Sequence, residues 1–301
     1  MTGTCTPEWI ALDWGTSNLR AFAMQGATVL ERAESNAGMR KLEPAQFEPV
    51  LQDLIDPWLH EGLGALIACG MVGARQGWAE APYRAVPCAP VAEGLTQITM
   101  QSGHRVHIVS GLSQTAPPDV MRGEETQIAG FLSLNPKWDG VLCMPGTHTK
   151  WVHLSAGEVV SFQTFMTGEI FALLSESSVL RHSVVPDTWD GSAFQDAVAD
   201  SLSHPERMAA KLFALRAGDL LKLNDQGSAR AALSGYLIGM EIAATRPYWL
   251  GQNLAILGMG AQAQAYQGAL SAQGVPATMV DTERATLAGL TAVHRQLKAC
   301  I

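Results

Sequence analysis

The chain has 301 residues, 47% of them apolar and 16% charged, and carries a formal net charge of −8. That composition excludes disordered and fibrous classes and leaves room for two domain-sized cores. An acidic balance with no offsetting Lys/Arg cluster argues against a nucleic-acid surface and for a small-molecule ligand. The five cysteines (Cys5, Cys69, Cys88, Cys143, Cys300) are odd in number and lack the paired spacings of disulfide scaffolds or zinc sites, which fits a reducing compartment. Met1 to Trp9 has neither a basic region nor an apolar core, and no apolar run is long enough to span a bilayer, so a soluble cytoplasmic protein without a membrane partner is expected.

In chain order, Ile10 to Leu12 reads as a buried strand that ends in an acid, Asp13, and turns through Gly15, Thr16, Ser17 and Asn18. A buried strand does not hold an unpaired carboxylate, so Asp13 belongs at its open end, where it could hold Mg²⁺ or a water. Gly15 lets backbone approach a ligand closely, and the amides and short side chains of Thr16, Ser17 and Asn18 suit phosphate oxygens. An ordinary hairpin with a polar turn is the structural alternative. Val29 to Glu34 reads as a third strand, Pro44 to His60 as a helix interrupted by Pro49 and Pro57, and Leu66 to Met71 as a buried strand ending at Gly70. Val91 to Gln101 reads as a helix and Val106 to Ser110 as a strand, giving the order βββαβαβ. Pro117-Pro118 breaks the chain before a helix expected from about Met121 to Leu134.

The opening pattern then repeats. Val141 to Pro145 is a strand, Gly146-Thr147-His148-Thr149 a turn, and Lys150 to Leu154 and Val159 to Phe165 are further strands. The two Gly-Thr pairs, at residues 15 and 146, lie a domain's length apart, so a duplicated domain is expected. A helical insertion from about Glu169 to Leu221 follows, then a helix from Ala229 to Arg246. Two strand-helix units close the chain, the first passing through Gly258-Met259-Gly260.

Two Gly-Thr turns on related strands resemble the paired phosphate grips of the sugar-kinase, Hsp70 and actin superfamily. Within it the chain resembles the 2-dehydro-3-deoxygalactonokinase family along nearly its whole length. The stretches that carry the likeness are Asp13 to Arg20, Gly70 to Gly73 with Gly77-Trp78 and Ala81-Pro82-Tyr83, Met121 to Gln127, Met144 to His148 with Lys150-Trp151, and Met166 to Glu169. The resemblance implies an α/β fold of two actin-like ATPase (ribonuclease H-like) domains, residues 1–135 and 136–301, with βββαβαβ cores flanking a cleft. It implies ATP and Mg²⁺ as cofactors, and phosphoryl transfer to the terminal 6-hydroxyl of 2-dehydro-3-deoxy-D-galactonate in galactonate and galactose catabolism. Gly15 to Asn18, Gly146, Thr147 and His148 would hold the phosphates, and Gly258 and Gly260 the adenosine. A homodimer is compatible with all of this, and oligomeric state stays open.

Each role has a duller alternative. Asp13 is expected to serve the metal, although a strand-end acid can simply cap a turn. Met144 stands at the matching place of the second copy, where some superfamily members carry an acid, so metal anchoring from that side is not expected. Glu124 and Glu125 open a helix, where the macrodipole favours acids without any catalytic role, yet a kinase needs a base to orient the hydroxyl and take its proton. Either could serve, and Glu125 is preferred. A substrate carboxylate would suit Arg75 and Arg122, with Arg84 a weaker third, against the common fate of an arginine at the surface. Gly70, Met71 and Val72 at a strand end, and Trp78 and Tyr83 as stacking platforms, complete the expected sugar-acid site, although aromatic residues beside Pro and Gly more often fill a loop's own core. Lys150, beside the second turn, could reach phosphate or point to solvent.

Four alternative readings remain. Leu257 to Ala263 contains GxGxxA, which would suggest dinucleotide binding with Asp281 as the ribose acid, but it sits near the C-terminus instead of in a first βαβ unit. A same-fold phosphatase acting on nucleotides or polyphosphate would use Glu125 to activate water. A sensor protein would bind sugar or ATP without turnover, and a kinase of a related 2-keto-3-deoxy sugar acid differs only in acceptor.

Overall fold

The computed structural model describes residues 6–92, 94–184, 189–223 and 227–299. The first apolar run forms strand β1 (Trp9–Trp14), whose side chains are all buried except that of Asp13. β2 (Leu19–Gln25) and β3 (Thr28–Ser35) follow in an antiparallel meander, with charged β3 forming the edge. Pro44–Gln46 makes one 3₁₀ turn before helix α1 (Phe47–Ile55), where Pro49 is tolerated in the first turn, and Pro57 lies in a second 3₁₀ turn, Asp56–Trp58. β4 (Leu66–Gly70), fully buried, pairs parallel with β1.

β5 (Tyr83–Ala85), β6 (Thr96–Thr99), β7 (Arg105–Ile108), β8 (Gly111–Thr115) and β9 (Pro118–Met121) come next, before helix α2 (Glu124–Leu134). The helix expected over Val91 to Gln101 is replaced, among its described residues, by strand β6, which lies antiparallel to β7 with Ile98 opposite Val106. The helix expected from Met121 starts at Glu124, because Met121 ends a hairpin strand and Gly123, at φ +104°, turns the chain. The main sheet runs β3-β2-β1-β4-β7-β6, and β5-β8-β9 form a small second sheet.

A second meander, β10 (Gly140–Met144), β11 (Thr149–Ser155) and β12 (Glu158–Phe165), precedes helices α3 (Thr167–Ser177), α4 (Gly191–Ser203), α5 (Met208–Leu220), α6 (Ser228–Ala244) and α7 (Arg246–Trp249). β13 (Leu254–Leu257), α8 (Ala261–Ser271) and β14 (Ala277–Val280) complete a sheet ordered β12-β11-β10-β13-β14. Both main sheets thus contain an antiparallel meander, third-second-first, extended on the first strand's side by two parallel strands, β4 and β7 in one and β13 and β14 in the other, and the first sheet adds β6 antiparallel at its edge. That is the ribonuclease H-like arrangement of actin-like ATPases, present twice. The last helix is α9 (Thr282–Ala299). Two compact units emerge: Met1–Trp138 with Ser155–Ser161 and Thr282–Ile301, and Asp139–Leu154 with Phe162–Asp281. Among the described residues no helix is long and apolar enough to cross a membrane.

Strand alternation explains the layers of the first unit. Ile10, Leu12 and Trp14 face α1 through Phe47, Leu51 and Ile55, while Trp9 and Ala11 face Ala129 of α2 and Leu290 and Val293 of α9. The two helices touch backbone to backbone. A Cβ at Gly130 would overlap the Ala285 carbonyl, and one at Gly289 would overlap the Thr126 carbonyl. Helix α9 is tied further by Trp9 stacked on His294 at 4.4 Å, by Arg32 with Glu283 at 2.6 Å, and by the Lys298–Glu8 ion pair.

Gly289→Ala must therefore push α9 off α2. Overpacking of this kind costs about 1–3 kcal/mol, so the melting temperature should fall by roughly 3–10 °C in a calorimetric scan. An unchanged transition would show that the helices separate freely.

Candidate active site

In the first unit, the ends of β1 and β4 and the start of α2 converge. Asp13 lies opposite Arg20 on β2 and Cys69 on β4. Its carboxylate is 28% exposed and 3.6 Å from the Arg20 guanidinium. Burial pushes its pKa up, Arg20 pulls it down, and Glu283 adds a smaller upward push.

The turn after β1 is shaped from behind. The carbonyls of Gly15, Thr16 and Ser17 accept the backbone amides of Met39, Arg40 and Gly38 at 3.0–3.2 Å. A trans peptide points its N–H opposite its C=O, so the amides of Thr16, Ser17 and Asn18 face away from that segment. Three amides directed to one side offer donors suited to an anion. Gly38 permits the contact, since a Cβ there would overlap the backbone of Ser17.

Gly70, at φ +92°, turns β4 into the Met71–Gly73 3₁₀ turn, and a Cβ there would lie 2.7 Å from the Trp14 carbonyl oxygen. Gly123 packs on it: a Cβ at Gly123 would meet the Gly70 Cα at 3.2 Å. This contact brings Gly70, Met71 and Val72 together with the start of α2. There Glu125, 0% exposed, accepts the Gly123 amide at 2.6 Å and the Thr126 hydroxyl at 3.0 Å. Burial, with a further push from the Glu124 charge, raises its pKa to about 7 against those hydrogen bonds. Glu124 is only half-buried and accepts the Arg122 amide at 3.1 Å. Cys69 is a fully buried thiol pushed well up by burial and then by the charges of Asp13 and Glu125.

The two arginines expected to bind a carboxylate differ. Arg75 is 80% exposed and lies 3.6 Å from Glu80. Arg122 is 8% exposed, donates from Nη2 to the Ala81 carbonyl at 2.7 Å and lies 4.4 Å from the centre of the Tyr83 ring. Its buried Nε and Nη1 have no hydrogen-bond partner among the described residues. Trp78 packs into the unit's own core, stacked with Phe47 and edge-on to Trp14. Arg84 donates to the carbonyls of Ala89 and Pro90.

In the second unit, the Gly146 carbonyl accepts the Gln262 side chain at 3.0 Å, and the Thr147 carbonyl accepts the Glu169 amide at 2.9 Å. By the same peptide geometry the amides of Thr147 and His148 face the other way. Gly168 fits under the turn, where a Cβ would overlap the Gly146 carbonyl. His148 Nε2 is 2.6 Å from Glu169. Lys150 is buried, not turned to solvent. Gly258, at φ +150° and held by the Val280 carbonyl, ends β13, and Gly260 opens α8.

Beside this turn the second unit holds a cavity of about 720 Å³. Its walls include Thr167 and Gly168 of α3, Trp189, Arg230 over the Phe171 ring, and Gln262 of α8. Sequence reasoning missed most of these residues. Thr167 and Gly168, in the family-like stretch Met166 to Glu169, and Gln262, just after the Gly-rich loop, had a local signal.

Comparison with known proteins identifies the chain's relatives. A model of the 2-keto-3-deoxy-galactonokinase family matches residues 13–293. "Probable 2-dehydro-3-deoxygalactonokinase DgoK1" of Rhizobium meliloti (strain 1021) is 38% identical, covering 98% of this chain and 99% of its own. The 2-dehydro-3-deoxygalactonokinase of Escherichia coli (strain K12) is 36% identical, covering 96% and 98%. The crystal structure of a Sinorhizobium meliloti protein described as a 2-dehydro-3-deoxygalactonokinase superposes with a TM-score of 0.90 at 37% identity, covering 96% of this chain and 99% of that one. This chain belongs to the 2-dehydro-3-deoxygalactonokinase family.

Proposed function

We propose that the protein transfers a phosphoryl group from ATP to the 6-hydroxyl of 2-dehydro-3-deoxy-D-galactonate. Family membership supports ATP and a sugar acid as the substrates. The observation that carries the residue roles is Glu125, a carboxylate desolvated to a pKa of about 7 beside the Gly70 turn. A base poised near the working pH is protonated and deprotonated at similar cost, which is what accepting the hydroxyl proton requires. Sealed from solvent, it would take that proton from the acceptor in preference to water.

The outward amides of Thr16, Ser17 and Asn18, and those of Thr147 and His148, would carry phosphate oxygens and stabilise their charge as the group moves. The 720 Å³ cavity falls within the size range of small-molecule sites and would take the nucleoside. Mg²⁺ fits the residues present. Asp13 offers one carboxylate at a strand end, and among the described residues no cluster of three ligating side chains competes for the role. That sparse set suits an ion held largely by water and substrate phosphates, where it would neutralise phosphate charge. Arg122, buried with two unpartnered nitrogens, is the group in the first unit that most needs an anion, and the acceptor's carboxylate would supply one.

A coupled ATPase assay across a panel of 2-keto-3-deoxy sugar acids tests the assignment. ATP should be consumed only with an acceptor, and best with the galactonate compound; a panel with no active acid would sink the kinase reading, and consumption without acceptor would indicate a phosphatase. Asp13→Ala should remove turnover while leaving the fold intact. Glu125→Gln should lower kcat by about 10²–10⁴-fold, whereas an effect confined to Glu124→Gln would move the base one residue back.

In the wild type, kcat/KM should rise with pH through about 7 as Glu125 loses its proton. Stability should run the other way. The folded carboxyl holds its proton above the ordinary carboxylate range, so the contribution of Glu125 to folding stability is fully present below about pH 4.5 and is lost as pH climbs to about 7. The loss is on the order of 3 kcal/mol, and urea titrations across that range should show it in the wild type and not in Glu125→Gln.

A further inference from the structure

Helix α6 carries a carboxylate that the reaction above does not use. Glu241 is 1% exposed and accepts three donors: Trp151 Nε1–H at 2.7 Å, the Tyr266 hydroxyl at 2.7 Å, and the Thr167 hydroxyl. Tyr266 shares a further hydrogen bond with Thr149 at 3.0 Å. Burial pushes the Glu241 carboxyl up, and its three hydrogen bonds pull it back down.

The donors come from the elements that shape the second turn. Thr149 and Trp151 stand on β11, directly after His148. Thr167 opens α3, whose Gly168 packs under Gly146 and whose Glu169 meets both Thr147 and His148. Tyr266 stands on α8, whose Gln262 holds the Gly146 carbonyl. From this convergence we propose that Glu241 is the positioning residue of the phosphate-gripping turn: it locks β11, α3 and α8 in one register, so that the Thr147 and His148 amides point the same way before ATP arrives.

A carboxylate suits this place because it is an acceptor only. The Trp151 N–H can only donate, and three donors need the several lone pairs that one charged group offers. The amide of glutamine would present one oxygen and direct an NH₂ group at donors. The turn's own contacts would survive, but the elements supplying them would no longer share a fixed point.

The inference rests on the reading that this turn grips ATP, and the test separates the two. Binding of a non-hydrolysable ATP analogue is measured by calorimetry for the wild type, Glu241→Gln and Tyr266→Phe. KM for the sugar acid and the melting temperature are measured alongside. Tyr266 is fully buried and is not part of the cavity wall, so Tyr266→Phe removes one donor without touching ligand.

Glu241→Gln should weaken analogue binding about tenfold and Tyr266→Phe by at least about threefold, with KM for the acid within about twofold of wild type. A folded Glu241→Gln that binds the analogue as the wild type does overturns the inference alone. A parallel loss for both substrates also overturns it, because it would mark Glu241 as generally structural. A wild type that does not bind the analogue overturns the ATP reading and the inference with it. If Glu241→Gln fails to fold, Tyr266→Phe decides in the same terms.

Discussion

A turn can hold an anion with its backbone amides only if its carbonyls find donors on the other side, because each trans peptide points the two groups in opposite directions. The rest of the site depends on that constraint. After β1, the carbonyls of Gly15, Thr16 and Ser17 are taken by three backbone amides of residues 38–40. After β10, one carbonyl is taken by the Gln262 side chain and the next by the start of α3. The same end is reached by different partners. In both cases a glycine outside the turn, Gly38 or Gly168, makes the close approach possible.

Three acids near these strand ends show how differently a buried charge can be treated. Asp13 keeps partial exposure and a cation 3.6 Å away. Glu241 is closed off but has three donors. Glu125 is closed off with an amide and a hydroxyl, and the adjacent Glu124 works against it, so its proton is held to about 7. Burying a charge is costly in proportion to what is left uncompensated. Glu125 is thereby the acid placed to exchange a proton near neutral pH. The start of α2, which presents Glu125, is fixed in turn by the backbone contact of Thr126 with Gly289.

Much of the fold was readable because parallel central strands are buried on both faces and appear as unbroken apolar runs. Leu66–Gly70, Gly140–Met144 and Leu254–Leu257 are of this kind, and so is the doubled strand-turn-strand pattern around Gly15 and Gly146. Val91–Gln101 misled for a physical reason. Val91, Leu95 and Ile98 fall at helical spacing, yet Thr96–Thr99 is a short strand whose conformation is set by pairing with β7. The sheet of β5, β8 and β9 was invisible for the same cause, since strands of three to five residues with mixed polarity have no period to detect.

For the site, local chemistry sufficed to mark an acid at a strand end, two small-residue turns, a pair of glutamates opening a helix, and the family those pieces form. Which glutamate is stripped of water, and which arginine is buried, depended on neighbours far away in the chain. Tyr83 lies 39 residues from Arg122, and Trp151 lies 90 residues from Glu241. Desolvation is a property of everything packed around a group, and no window of sequence contains that list. Glu241 is the clearest case: it sits on an ordinary apolar helix with no motif around it, and its role appears only when β11, α3 and α8 fold against it.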